Sequence, residues 1–162
     1  MLRSVRRKDR ELDLEAATRL LTEGEYGFLA TVGMDGQAYG VPLNYVFKDN
    51  SLYFHCALEG HKLDNIKVHN KVSFCVVGRT KVLPDKFSTE YESAMAFGTA
   101  SIVQGDERYS ALLSILEKYS PDFMEEGKKA IARYDDKTTI IKVGINHITG
   151  KARKTDNQSS AV

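Results

Sequence analysis

The stretch FHCALEGHKLDNI, residues 54–66, predicts the end of a β-strand, a short glycine turn and the first turn of a helix. The first amides of a helix have no intrahelical partner, and the helix dipole favours negative charge beside them. Gly60, His61 and Lys62 occupy this helix start, so free amides, an imidazole and an ammonium group meet at one point. A phosphate group is the natural occupant of such a site.

The strand before this turn has an apolar wall with polar insertions. Residues 41–47 have the sequence VPLNYVF, and such a surface suits a flat ring. Proline removes a backbone N–H, so Pro42 predicts that the sheet bends, opens or lacks a partner there. Together the two segments predict a phosphorylated aromatic cofactor held between two strands and a helix start.

The overall composition is that of a soluble globular protein. A chain of 162 residues can bury a core as one domain, and its formal net charge of +1 gives no reason to expect a nucleic-acid or membrane partner. The basic residues near the N-terminus (Arg3, Arg6, Arg7, Lys8 and Arg10) are followed by acidic ones, which predicts a solvated arm. No apolar segment of signal-peptide or membrane-span type is found.

The two cysteines, Cys56 and Cys75, lie in apolar strand patterns and lack the spacing of a redox or zinc motif. We therefore expect two buried free thiols and a cytoplasmic location. His55, His61 and His69 with Cys56 fit no standard zinc pattern, so no metal site is predicted.

Hydrophobic periodicity predicts a mainly β protein, a small antiparallel β-barrel with peripheral helices. The predicted strands cover residues 26–32, 38–47, 52–57, 71–78, 93–103 and 138–145, and the predicted helices cover residues 14–23, 60–69, 106–119 and 122–134. Asp13 is the expected N-cap of the first helix, Asp35-Gly36 a hairpin turn, and Gly98 a bulge or a close backbone approach. Residues 79–92 are predicted to be a long loop. Residues 1–152 form the predicted domain, and residues 153–162 a flexible tail.

Several blocks of this sequence resemble the flavin-binding split-barrel proteins of the pyridoxamine 5′-phosphate oxidase-like superfamily, and within it the nitroimidazole-resistance-type proteins. The blocks are YGFLAT (26–31), YGVPLNYV (39–46), YFHCALEGHKLDNI (53–66), FSTEYES (87–93), FGTA (97–100) and HITGK (147–151). They extend over roughly residues 10–152. Their combination is specific, although each block alone is weak.

The resemblance implies a homodimer of six-stranded, Greek-key split β-barrels with FMN at the subunit interface. Implied cofactor-binding residues are Val41, Pro42, Leu43, Asn44 and Tyr45 beside the flavin ring, His55 and Cys56 facing the ring and ribityl chain, Gly60, His61 and Lys62 at the phosphate, and Ser93 from the fifth strand. Two features depart from the oxidase itself. Val41 stands where the oxidase has an arginine, and the chain has no tryptophan for the substrate end, which argues against pyridoxamine phosphate oxidation.

The preferred function is an FMN-dependent oxidoreductase that passes electrons from a nicotinamide donor to a small electron-poor substrate such as a nitro compound. His55 is the candidate catalytic proton donor, because histidine titrates near neutral pH. The alternatives are a non-catalytic flavin- or small-ligand-binding module and pyridoxamine 5′-phosphate oxidase-like activity. A related split barrel that holds haem or a deazaflavin is also open.

Overall fold

The structure, a computed structural model, describes residues 4–154. In this part of the chain the strands are β1 (Glu11–Leu12), β2 (Tyr26–Val32), β3 (Ala38–Asn44), β4 (Val46–Lys48), β5 (Ser51–Cys56), β6 (Lys71–Leu83), β7 (Ser88–Val103) and β8 (Thr139–Arg153). The α-helices are α1 (Leu14–Glu23), α2 (His61–Val68), α3 (Gly105–Tyr119) and α4 (Met124–Arg133). Arg3 of the predicted basic arm and residues 155–162 of the predicted tail lie outside the described residues.

The strands form one antiparallel sheet in the order β3-β2-β6-β7-β8-β5-β4, with β1 added to β8. The end strands β3 and β4 are consecutive in sequence and are separated only by Tyr45. The sheet therefore curls until its two ends meet, but no hydrogen-bonded ladder among residues 4–154 joins β3 to β4 or β5. This confirms the mainly β split barrel with peripheral helices that the sequence predicts.

The inner face of the curled sheet encloses the main core. Leu29, Phe54 and Phe74 are fully buried there, and α1 packs its apolar stripe, including Leu21, against them. The predicted cap of α1 is confirmed, since the Asp13 carboxylate accepts a hydrogen bond from the Ala16 amide at 2.7 Å.

All six predicted strands are present, but the second is divided. Its residues 38–47 are interrupted at Tyr45, which separates β3 from β4, and the two-residue β1 is an addition, so eight strands are assigned instead of six. Pro42 lies opposite Phe28 in β3, a strand that pairs only with β2. The prediction of a strand lacking a partner at Pro42 is therefore confirmed, because an end strand needs ladder bonds on one side only.

The prediction of a loop over residues 79–92 is wrong. β6 and β7 continue as a hairpin with Thr80 opposite Tyr91 and Leu83 opposite Ser88, and a turn over Pro84–Lys86 joins them. Both faces of this hairpin are largely exposed, so its sequence lacks the alternation that marks a half-buried strand.

β8 is longer than predicted and continues from Ile145 to Arg153, one residue into the predicted tail. Its second half pairs with the first half of β7. The register shifts between Phe97 and Gly98, which confirms the bulge predicted at Gly98.

α3 packs on the outer side of β4, β5 and β8. Within α3, Tyr109 is exposed, whereas Arg108 and Ala111 are buried. The Arg108 guanidinium pairs with the Asp135 carboxylate and donates to the carbonyls of Asp135 and Thr138 at 2.7 and 2.9 Å. These bonds fix the segment between α4 and β8, which explains how a buried charge is tolerated.

Candidate functional site at the split of the barrel

The split leaves two strand edges without partners. β4 covers β5 only over Ser51–Tyr53, so Phe54, His55 and Cys56 pair with β8 alone. Within residues 4–154, β3 pairs with β2 alone, and β3 and β5 lie close together across the gap. Unpaired backbone donors and acceptors at such edges can bind a flat polar ring.

The N-terminus of α2 lies directly after the free end of β5. The amides of Leu63 and Asp64 donate to the Gly60 carbonyl at 2.8 and 3.2 Å, which leaves the amides of His61 and Lys62 without an intrahelical acceptor. No side chain caps this helix start. Gly60 has φ +140° and ψ 160°, a conformation essentially restricted to glycine, and a Cβ there would meet no heavy atom within 4 Å. The helix start is therefore open to a ligand.

Two contacts tie this helix start to the neighbouring strands. The rings of His61 and Tyr39 lie with their centroids 4.3 Å apart, which places α2 against β3. Burial raises the pKa of the Cys56 thiol, and the positive charge of Lys62 opposes that shift only in part. Cys56 is thus a neutral, half-buried free thiol beside Lys62, not an activated nucleophile.

The predicted residues of β3 alternate in direction. Val41 and Leu43 pack their side chains against the core, whereas Pro42 and Asn44 point to the exposed side. The Asn44 amide donates to the Glu25 carbonyl at 3.1 Å. A ligand next to β3 would therefore meet the backbone edge and the outer residues, not the side chains of Val41 and Leu43.

Tyr45 is committed to the fold. Its ring is fully buried, and its hydroxyl donates to the Leu21 carbonyl at 2.6 Å. Its amide donates to the Tyr119 hydroxyl at 2.9 Å, and its carbonyl accepts from Lys118 Nζ at 3.1 Å. Burial raises the pKa of the Tyr45 phenol strongly. Because its ring is fully buried, the Tyr45 side chain cannot make the expected contact with a flavin edge.

His55 is exposed on the outer side of β5. Its imidazole makes no hydrogen bond to any residue in the described range 4–154, and together with Asn44 it lines a cavity of about 420 Å³ beneath α3 and α4. The sequence did not indicate that Tyr119, Ile131 and Tyr134 line this same cavity. Their only signal was the apolar periodicity of two helices, which equally fits a structural role.

Ser93 lies apart from the other predicted residues. It is on the outer face of β7, opposite Val77 and Lys151, and its hydroxyl donates to the Lys151 carbonyl at 3.5 Å. β2 and β6 separate it from β3, and β8 separates it from β5. One chain therefore gathers the predicted residues of β3, β5 and α2 at the split, but not Ser93.

Neither a membrane-spanning helix nor a group of metal ligands is found between residues 4 and 154. No helix in this range is long and apolar enough to cross a membrane. In the same range, no three His, Cys, Asp or Glu side chains are grouped as ligands for a metal ion.

Comparison with known families decides the assignment. The family model described as pyridoxamine 5′-phosphate oxidase matches residues 13–152. The chain belongs to this family. The resemblance stated from the sequence blocks is therefore confirmed. A search of curated proteins finds no match.

Several solved structures of other proteins share the fold. A conserved hypothetical protein from Mycobacterium tuberculosis has a TM-score of 0.79 and 19% identity, over 98% of this chain and 97% of its own. A candidate 5-nitroimidazole antibiotic resistance protein from Bacteroides thetaiotaomicron has a TM-score of 0.71 and 22% identity, over 88% of this chain and 86% of its own. A flavocytochrome from Azotobacter vinelandii has a TM-score of 0.79 and 16% identity, over 93% of this chain and 72% of its own. Identities this low establish a common architecture, and nothing about shared chemistry.

Proposed function

We propose that this protein is an FMN-dependent oxidoreductase that reduces a small electron-poor molecule, such as a nitro compound, with a nicotinamide nucleotide as electron donor. The observation that carries the proposal is the uncapped start of α2, which lies beside two unpaired strand edges. Membership of the family supports the proposal, and a flavocytochrome and a candidate nitroimidazole resistance protein show that the same fold occurs in proteins with such names.

The phosphate of a flavin nucleotide fits the helix start. The amides of His61 and Lys62 supply donors, Lys62 adds a charge at a half-buried position, and Gly60 leaves the approach open. Charge-assisted hydrogen bonds to a phosphate are about twice as strong as neutral ones. The donor set is thus suited to an anion, and no carboxylate caps the helix in competition with it.

The ring of the cofactor would lie at the split. Val41, Pro42, Leu43 and Asn44 offer the backbone edge of β3, and His55 and Cys56 offer the edge of β5. Tyr45, which follows β3, is anchored to α1 and α3, because its hydroxyl donates to the Leu21 carbonyl and its amide donates to the Tyr119 hydroxyl.

A bound flavin supplies transfer of two electrons from a nicotinamide to a second substrate. Reduction of a nitro group to a nitroso group and water consumes two electrons and two protons. His55 is exposed at the cavity that opens beside β3 and forms no hydrogen bond within residues 4–154, so it can pass one of these protons from solvent to the substrate, and solvent supplies the other.

Lys62→Ala tests the phosphate site. Loss of the charge-assisted bonds should weaken FMN binding by about 1.5–3 kcal/mol, roughly 10- to 150-fold in Kd. The measurement is the visible spectrum of the purified protein after FMN addition and desalting, followed by a titration. Lys67→Ala is the matched control, because Lys67 is an exposed lysine of the same helix whose ammonium group pairs with Asp64. Equal FMN affinity for the two variants would mean that the phosphate binds elsewhere. A wild-type protein that does not bind FMN would contradict the proposal.

The protein acts as a homodimer in this proposal, because Ser93 can reach a cofactor site only from a second chain. The outer face of β2, β6 and β7 around Ser93 is apolar and uncovered. Tyr26, Phe28 and Val77 on this face are exposed by 58%, 49% and 57%. Apolar patches of this kind mark association surfaces.

Phe28→Lys tests the dimer. A charge at the centre of this face should give a particle of 18.1 kDa instead of twice that mass in light scattering after gel filtration, with loss of bound flavin. Leu14→Lys is the control, since Leu14 is 66% exposed at the start of α1, on a different element of the fold. A wild type that is monomeric yet retains FMN would contradict the role given to Ser93.

One observation favours a non-catalytic flavin-binding module as the second candidate. His55 has no hydrogen-bond partner among residues 4–154 that would orient it, and burial raises the pKa of both cysteines, so neither provides a thiolate. Bound flavin that NADH and NADPH fail to reduce, with or without a nitro compound, would establish this second role.

A further inference from the structure

The cavity beneath α3 and α4 is an open apolar pocket. Its walls are formed by Leu112, Ile115, Leu116, Gly127, Ala130 and Ile131, and its volume is about 420 Å³. Pockets for small ligands measure about 300–1,000 Å³, so the space suits a molecule of one or two rings.

The pocket exists because α4 rests on α3 and not on the sheet. A Cβ at Gly127 would lie 2.2 Å from Leu116 Cδ1, so glycine permits the two helices to touch at this point. No residue of α4 is buried, although its Ala130 and Ile131 line the cavity. Ile131 is only half-buried there, with apolar surface left to cover.

The polar groups of the pocket are amide, hydroxyl and imidazole groups. They are supplied by Asn44, His55, Tyr119, Ser120, Tyr134 and Thr138, and no Lys, Arg, Asp or Glu among residues 4–154 lines the space. Lys118 belongs to the same helix, but its ammonium group is held by the carbonyls of Gly24 and Tyr45 at 2.6 and 3.1 Å. A charged ligand would therefore have no counter-ion in the pocket and would lose its hydration.

Asn44 and His55 belong both to this pocket and to the edges of the split. A molecule in the pocket would thus lie next to the place proposed for the flavin ring. We propose that the α3–α4 pocket is the substrate site, and that it selects uncharged, planar molecules of one or two rings with a hydrogen-bond-accepting substituent. This inference rests on the function proposed above, since the substrate must lie beside a flavin.

The test is binding of nitrobenzene and of 4-nitrobenzoate to the FMN-loaded protein, measured by isothermal titration calorimetry. Nitrobenzene should bind, and the carboxylate at least tenfold more weakly. Ile131→Trp should fill the pocket and weaken nitrobenzene binding at least tenfold, while the flavin spectrum stays that of the wild type. Ala132→Trp, the next residue of α4 and exposed but not part of the pocket, should bind nitrobenzene like the wild type.

Each contrary result is distinct. Retained flavin with unchanged nitrobenzene binding in Ile131→Trp would overturn the pocket and leave the proposed function intact. Loss of flavin in a folded Ile131→Trp would assign the space to the cofactor and overturn the substrate role. A wild type without flavin would overturn the proposed function and the substrate role together. If Ile131→Trp fails to fold, Ala130→Leu, a smaller change in the same wall, takes its place, and its flavin content and nitrobenzene binding are interpreted in the same way.

Discussion

Gly98→Ala is expected to lower the free energy of unfolding by about 3 kcal/mol or more. A Cβ at this position would lie 2.3 Å from the Gly144 carbonyl oxygen and 2.8 Å from Val143 Cγ1. The first of these atoms belongs to the backbone of a central strand, so it cannot rotate away as a side chain could. The bulge between Phe97 and Gly98 would have to open, with loss of ladder bonds between β7 and β8.

The matched control is Gly144→Ala on the opposite strand. Its Cβ would have only the Thr99 carbonyl oxygen at 4.0 Å, which is an ordinary contact, so its stability should stay within about 1 kcal/mol of the wild type. Urea unfolding followed by circular dichroism compares the two variants. A Gly98→Ala protein as stable as Gly144→Ala would show that β7 and β8 are not this close at the bulge.

The short-range signals of the sequence predicted the fold well. The strand predicted over residues 26–32 is β2 itself, and Asp35-Gly36 gave the hairpin to β3, where Gly36 has φ +81° and the Asp35 carboxylate accepts from the Gln37 amide at 3.0 Å. Such features depend on residues a few positions apart, and the physical rules for them are local.

The missed elements have both faces in solvent or are paired over long distances. The hairpin over residues 79–92 shows no apolar alternation because little of it is buried. The second half of β8 is polar and is held as a strand by β7, some fifty residues earlier in the chain. Tertiary pairing, and not intrinsic preference, decides such segments.

The candidate site was predictable only where it is contiguous. Residues 54–66 contain both the free edge of β5 and the open start of α2, so the order of residues already implies their proximity. The burial of Tyr45 and the cavity beside His55 depend on α3 and α4, more than fifty residues away in sequence. No spacing rule connects such distant positions.

Tyr119→Phe should weaken both the fold and the site, with a loss of about 1–3 kcal/mol in unfolding free energy. The Tyr119 hydroxyl accepts from the Tyr45 amide at 2.9 Å and lies 2.5 and 2.7 Å from the carbonyl oxygens of Glu25 and Tyr45, to either of which it can donate. Removing this one oxygen leaves a part-buried amide without an acceptor at the residue that separates β3 from β4. These strands define the split, so FMN affinity should also fall, by about tenfold. Urea unfolding and FMN titration measure the two effects.

Tyr134→Phe is the matched control, because it distinguishes the role of the Tyr119 hydroxyl from the loss of any tyrosine hydroxyl that lines the pocket. Tyr134 lines the same cavity, but its hydroxyl makes no hydrogen bond within residues 4–154, so its loss should change stability by less than about 0.5 kcal/mol. If the two variants were equally stable, water would replace the Tyr119 hydroxyl at no cost, and the junction at Tyr45 would not need it. If Tyr119→Phe lost stability but kept full FMN affinity, other contacts would set the distance between β3 and β4 at the split. The next contact to test would be that of Tyr45 with Phe74, whose ring centroids lie 4.8 Å apart.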